Sequence, residues 1–218
     1  MSGGSLQAPA MSFGNNGANA TLNLTGGTIA WKHAPVRGSG NATLNMGGGT
    51  LRADGPFVVP PGLPFTLTGT NGDLTVDAAA GDVGLDNPLT GPGGLVKNGP
   101  GALVLGAFGN DYTGATTVNE GVLCGNGVAT SDIVVKSGAA LTAGFGAVGI
   151  MDAKGVAFEP GSVFKVKVDT DYGYADLEEV VTAEEDILFS LPKELRAKLK
   201  EDGDTTQALG GRGAKPNR

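Results

Sequence analysis

Gly91-Pro-Gly-Gly-Leu95-Val-Lys97-Asn-Gly99-Pro-Gly101-Ala-Leu103-Val-Leu105-Gly-Ala-Phe108-Gly-Asn110-Asp-Tyr112-Thr-Gly114-Ala-Thr116-Thr-Val118-Asn-Glu-Gly121-Val-Leu123 is the stretch that decides the fold. Short apolar groups, Leu95-Val96, Leu103-Val104-Leu105, Val118 and Val122-Leu123, alternate with Gly, Asn, Pro and Thr. None is long enough for a helix, and β-branched runs cut by Gly and Asn predict very short strands between tight turns. Such strands are stable only when successive passes of the chain stack and each backbone N–H and C=O finds the rung above or below. Leu103 and Leu105 share one side of their strand and Val104 takes the other. Gly99, Gly101, Gly114 and Gly121 flank these strands as residues that tolerate positive φ. Tyr112 is expected to cover the end of a rung with its hydroxyl in water.

Upstream, the chain repeats itself. Asn19-Ala-Thr-Leu-Asn-Leu-Thr-Gly-Gly-Thr-Ile29 returns as Asn41-Ala-Thr-Leu-Asn-Met-Gly-Gly-Gly-Thr-Leu51, 22 residues later and identical at eight of eleven positions. A period near twenty is the span of one solenoid coil. Stacking the copies predicts Leu22 on Leu44 and Asn23 beside Asn45, with asparagines forming hydrogen-bonded ladders that serve architecture.

Between the copies, Trp31-Lys-His33-Ala-Pro-Val-Arg37 is expected to be an exposed connecting loop. Residues 55–64 hold four prolines, which remove ladder donors and rule out a central strand. Further short strands are expected at Phe65–Thr68, Asp73–Asp77, Asp132–Lys136, Ala140–Thr142, Val156–Phe158 and Val163–Val168. Residues 1–13 are low in complexity and expected to be poorly ordered. From about Thr182 the pattern changes. Thr182-Ala-Glu-Glu185 has the form of a capping box, Asp186–Phe189 could be a last strand, and residues 192–201 are rich in helix formers, with Ser190 as N-cap and Pro192 in the first turn. The division is therefore 1–13, a repeat region at 14–182, and a helical then disordered tail at 183–218.

Composition agrees. The 218 residues include 39 glycines without a three-residue period, which excludes collagen, while 40% apolar content in ordered triplets argues against disorder. Eight Lys/Arg against fifteen Asp/Glu place the whole net charge of −7 on residues 1–182, since the last 36 residues hold seven of each. No basic face is visible, which disfavours nucleic-acid binding. The single cysteine, Cys124, permits no intrachain disulfide and is read as a small packed residue. No run of eighteen apolar residues exists, so no membrane helix is expected.

The order Gly94-Leu95, Lys97, Gly99, Gly101, Leu103, Leu105, Asn110, Tyr112, Thr113-Gly114, Thr116-Thr117-Val118, Gly121 and Leu123 resembles the passenger-associated β-strand repeat of bacterial autotransporters. Between Leu105 and Tyr112 the chain is one residue longer than that pattern. Because a one-residue slip reverses strand faces, the extra residue belongs in a turn near Phe108-Gly109. The resemblance implies an all-β, right-handed parallel β-helix or β-solenoid, located outside the cell or on the bacterial surface. Its passengers have few cysteines, in agreement with Cys124 standing alone. The opening Met1-Ser-Gly-Gly has neither a basic nor an apolar signal region, and the end shows no array of barrel strands. The expectation is a fragment of a larger secreted protein, or a decayed or truncated reading frame.

Catalytic, cofactor and metal sites are each expected to be absent. Gly144-Phe-Gly146-Ala-Val-Gly149 fits the dinucleotide spacing, but the following residues break off too soon for the helix it requires. Gly109-Asn110-Asp111 is similar to one copy of a calcium-binding nonapeptide, which needs several copies, and is read as a turn. Asp73 and Asp77 lie on one strand face, followed by Asp82 and Asp86. Two carboxylates can hydrolyse a glycosidic bond, but no basic residue sits near to bind an acidic sugar, and they are read as solvated carboxylates near turns. A Ser-His-Asp triad would have to use His33, in its Pro-flanked loop. Asn19, Asn23 and Asn41 open N-x-Thr sequons, which say little in a bacterial protein.

The function expected is that of a non-catalytic structural segment of an autotransporter-like passenger, for surface display or to assist export. The alternatives are an adhesin-like, glycan-binding module and a β-helix polysaccharide lyase or hydrolase. Candidate partners are cell-surface glycans and an outer-membrane barrel outside this sequence, with no nucleic acid and no membrane insertion.

Overall fold

The computed structural model describes residues 1–125, 128–146, 149–170 and 173–180. The chain winds as a parallel β-solenoid of about seven turns. Its first coils carry three strands each: β1 (Ser2–Ala8), β2 (Ser12–Phe13) and β3 (Ala20–Leu24), then β4 (Gly26–Trp31), β5 (Val36–Arg37) and β6 (Ala42–Met46). Next come β7 (Thr50–Ala53), β8 (Phe57–Val59) and β9 (Phe65–Leu67), then β10 (Leu74–Asp77), β11 (Val83–Leu85) and β12 (Leu89–Thr90). Later coils carry two strands: β13 (Leu95–Asn98) with β14 (Ala102–Leu105), β15 (Thr116–Val118) with β16 (Val122–Gly125), β17 (Val128–Val135) with β18 (Ala140–Ala143), and β19 (Asp152–Phe158) with β20 (Val163–Thr170). Finally β21 (Gly173–Val180) runs back antiparallel along β20. Among the described residues the helical content is one 3-10 turn at Asn15–Gly17.

Stacking makes the sheets. One follows the order β1-β4-β7-β10-β13-β15-β17-β19, a second β8-β11-β14-β16-β18-β20-β21, a third β3-β6-β9-β12 and a fourth β2-β5. Alternation along each short strand sends every second side chain inward, and the parallel register piles these into rows. Leu51, Val76, Lys97, Val118 and Val135 form one row. Phe57, Val83, Leu103, Leu123 and Leu141 form another. Leu24, Met46 and Leu67 form a third. These side chains are buried, each worth about 1.5–3 kcal/mol when apolar and fully enclosed.

The duplicated segment stacks as its sequence predicts. Leu22 pairs with Leu44 and Asn23 with Asn45. Asn45 Nδ2 donates to Asn23 Oδ1 at 2.8 Å, and Asn41 Nδ2 to Asn19 Oδ1 at 3.2 Å. The same contact recurs from Asn119 to Asn98 at 2.9 Å. The prolines of residues 55–64 are tolerated because β8, between Pro56 and Pro60, is the edge strand of its sheet.

Two expectations are corrected. Trp31 is not part of an exposed loop: it ends β4 and is fully buried. Its stacking neighbours in register are Ala8 and Ala53, whose small side chains leave room for the indole. The ring meets Phe57 edge-on at 5.6 Å, and Nε1–H points at Met11 Sδ, 2.9 Å away. Residues 1–13, low in complexity, are nonetheless ordered as β1 and β2, because β4 and β5 offer them backbone partners. The capping box at 182–185, the strand at 186–189, the helix at 192–201 and the tail division at 183–218 lie outside the described residues.

Candidate functional site

The repeat at 91–123 is knit to its neighbours by polar side chains turned inward. In β13, Leu95 and Lys97 face the core while Val96 and Asn98 face out. Lys97 is completely shielded from solvent. Its Nζ donates to the carbonyl oxygens of Asn98 at 2.8 Å, Gly99 at 2.7 Å and Glu120 at 3.1 Å. Gly99, at φ 80°, bends the chain there. The last of these bonds ties one coil to the next. Burial lowers the ammonium's pKa to about 8, against the attraction of Glu120, Asp77 and Asp82.

Tyr112 departs from expectation: its ring and hydroxyl are wholly buried. The hydroxyl lies 2.6 Å from Thr116 Oγ1, which is buried at the start of β15. Burial pushes the phenol's pKa up, opposed by hydrogen bonding to Thr116 and Ser131. A ring set between two coils must bring its polar tip inside, where only a partner can offset desolvation. Asn110 is buried beside it. Asn110 Oδ1 accepts the Leu89 N–H at 2.9 Å, and Nδ2 donates to Ala107 O at 3.1 Å. Asn87 does the same one coil earlier, accepting from Leu63 N at 3.0 Å and donating to Pro60 O at 2.6 Å. Gly109-Asn110-Asp111 is thus a turn that clasps the previous coil. Just before Asn110, Phe108 is exposed and Gly109 adopts φ 80°.

The glycines divide by cause. Gly99 and Gly121 adopt positive φ. Gly101 and Gly114 do not, which corrects that part of the expectation. Gly114 is required by close approach, since a Cβ there would stand 2.3 Å from Gly94 N and 2.4 Å from the Gly93 carbonyl carbon.

The four aspartates separate onto two sheets. Asp73 and Asp77 lie at β10, and Asp73 Oδ1 accepts the Gly94 N–H at 2.8 Å. Asp82 and Asp86 bracket β11, and Asp82 Oδ1 accepts the Ala102 N–H at 2.8 Å. Asp82 and Asp86 also border a groove of about 470 Å³ on the outer side of the second sheet, lined with Pro56, Phe57, Val58, Gly84, Val104 and Phe145. Cys124 is buried, its Sγ 3.6 Å from Leu103 O. His33 is exposed. The Gly144–Gly149 segment leads into strand β19 in place of a nucleotide-binding helix, with Ala147 and Val148 outside the described residues. Among the described residues no group of three or more His, Cys, Asp or Glu is placed to hold a metal ion.

Sequence reasoning missed the inward lysine and the buried tyrosine hydroxyl. The signal for Lys97 was its parity: it shares a face with Leu95, so alternation alone sends it inward.

Stacked parallel rungs, apolar rows and polar clasps between coils define a structural β-solenoid. Within it, residues 95–123 match the family described as the passenger-associated-transport-repeat. That match and the fold together fit a passenger-type structural segment of an autotransporter. Over 40 residues the chain is also 62% identical to a 4-hydroxy-3-methylbut-2-enyl diphosphate reductase of Leifsonia xyli subsp. xyli (strain CTCB07). This similarity spans 18% of the chain and 12% of that reductase. No solved structure matches the chain.

Proposed function

We propose that the solenoid is a non-catalytic spacer of a secreted, autotransporter-like passenger, which extends from the bacterial surface and assists export by stacking rungs as the chain emerges. The observation that carries this is the way each coil is completed by its neighbour: Lys97 reaches Glu120, Asp73 reaches Gly94, and Asn110 reaches Leu89. Where interactions run mainly between adjacent repeats, folding propagates from one end, and a rung that has folded outside the cell cannot slip back. The match to the repeat family supports a secreted location, and an outer-membrane barrel is the partner this function calls for. Cell-surface glycans are a further proposed partner.

The test places the chain between a signal peptide and an outer-membrane β-barrel in a Gram-negative host and measures protease-accessible passenger on the surface. Leu103→Asp, which breaks a central row, is expected to lower surface display while total synthesis is unchanged. Equal display of the variant and the parent chain would refute a role for rung stacking in export.

A further inference from the structure

We infer that the groove over β11 binds an extended segment of a partner protein carrying two basic residues four positions apart, with an apolar residue midway between them. Outward positions along this strand read Asp82, Gly84, Asp86, while Val83 and Leu85 enter the core. The two carboxylates therefore stand at opposite ends of one outward row, about 13 Å apart at their Cα atoms by strand rise. Between them Gly84 leaves a notch, flanked in the stacked row by Val58 and Val104. Phe145 supplies an exposed aromatic wall, and Val58 on the edge strand is also exposed.

Three features select the occupant. The groove's floor is apolar, which favours a side chain seated at Gly84. Both ends carry acidic groups: Asp82 has one oxygen engaged by Ala102 N–H, leaving Oδ2 for a donor. Among the described residues, those lining the groove include no Lys or Arg, on a chain of net charge −7. Lys97, which feels the charge of Asp82, is committed to carbonyls inside the core. Acidic ligands are thus repelled and basic ones drawn in. An extended segment repeats its side-chain direction every second residue, so residues i, i+2 and i+4 face the groove together at the spacing of Asp82, Gly84 and Asp86. Long basic side chains can lay their methylene stems on Val58 and Val104 with their heads at the carboxylates, and Phe145 offers its ring face to a cation.

The test is fluorescence anisotropy of the labelled peptide Gly-Lys-Ser-Leu-Ser-Lys-Gly against the whole chain at low and at physiological salt. Binding is expected to weaken with salt, to vanish when both peptide lysines become glutamate, and to fall at least fivefold when the peptide leucine becomes serine. In the protein, Asp82→Asn keeps the acceptor for Ala102 N–H, so the fold is retained. Combined with Asp86→Asn, it is expected to weaken the peptide at least tenfold at an unchanged urea midpoint. Gly84→Ala is the second probe. Its Cβ would come within 2.9 Å of Val58 Cγ2, filling the notch and lowering affinity by displacing the leucine. Unchanged affinity in the doubly substituted protein, failure of the peptide to bind, or Phe145-dependent binding of a neutral oligosaccharide in its place would each overturn the inference.

Discussion

Replacing Lys97 by Met keeps a flexible apolar stem in the same row and deletes the ammonium. The carbonyls of Asn98, Gly99 and Glu120 then lose their donor. The bond to Gly99 O lies in a buried setting and the other two in part-buried ones. A buried polar group without its partner costs about 1–3 kcal/mol, so one full and two partial losses amount to roughly 4 kcal/mol. Against that, Met avoids the cost of holding a cation away from water, which offsets about half. A net loss of about 2 kcal/mol is expected near pH 7. For a chain of this size it lowers the melting temperature by about 4–8 °C.

The pH dependence has a definite sign. The folded pKa is about 8 and the ordinary lysine value is 10.5, so between these the unfolded chain holds the proton and the folded chain has released it. Stability from this group therefore rises with pH across that window, is level above it, and is lost as pH falls through about 8. One pKa unit corresponds to about 1.4 kcal/mol. Screening at the part-buried carbonyls reduces the full effect, so the gap between the parent chain and Lys97→Met should widen by about 1–2 kcal/mol from pH 7.5 to 10.5. Urea denaturation followed by circular dichroism at several pH values measures both quantities. A variant within about 0.5 kcal/mol of the parent, the range of an ordinary surface change, with a gap constant over that pH range, would refute a role for the ammonium as a clasp between coils.

Leu103→Asp places an unpaired carboxylate in the row of Val83 and Leu123 and is expected to cost at least about 4 kcal/mol, whereas Val104→Thr on the outer side should cost under about 1 kcal/mol; equal urea midpoints would mean the faces are reversed. Gly114→Ala drives a Cβ into the Gly93–Gly94 backbone and is expected to lower stability by about 2 kcal/mol or more, even though its φ is not positive; a neutral result in thermal denaturation would show that the backbone yields. Tyr112→Phe leaves Thr116 Oγ1 without its 2.6 Å partner and should cost about 1–2 kcal/mol. Tyr112→Ala, which also empties a ring-sized space, should cost about 3–5 kcal/mol; an unchanged midpoint for Tyr112→Phe would contradict the hydroxyl's bond to Thr116, and one for Tyr112→Ala would contradict burial of the ring.

The sequence by itself determined the kind of structure. Triplets such as Leu103-Val104-Leu105 set strand length and facing, because alternation is a local property of extended backbone. The copy of Asn19–Ile29 at Asn41–Leu51 set the coil period, and with it the pairing of Leu22 with Leu44 and the asparagine ladder. The residues from Gly94 to Leu123 carry the family resemblance in their order and spacing alone. What the tertiary structure decided lies between coils, where local pattern has no reach. Trp31 is in the core only because Ala8 and Ala53 stack beside it, some 22 residues away on either side. Lys97 can be buried only because Glu120, in the next coil, turns a carbonyl toward it. Tyr112 can hide its hydroxyl because Thr116, four residues on, is held on an inward position by the stacking of Leu95 and Ile133 on either side of it. Gly114 is fixed by the backbone of the coil beneath it, which no φ preference reveals. Asp73–Asp77 and Asp82–Asp86 look alike along the chain, yet the turn after Asp77 carries the second pair to another sheet. There Gly84 and Phe145 give it a groove, a juxtaposition that depends on side chains 61 residues apart in sequence.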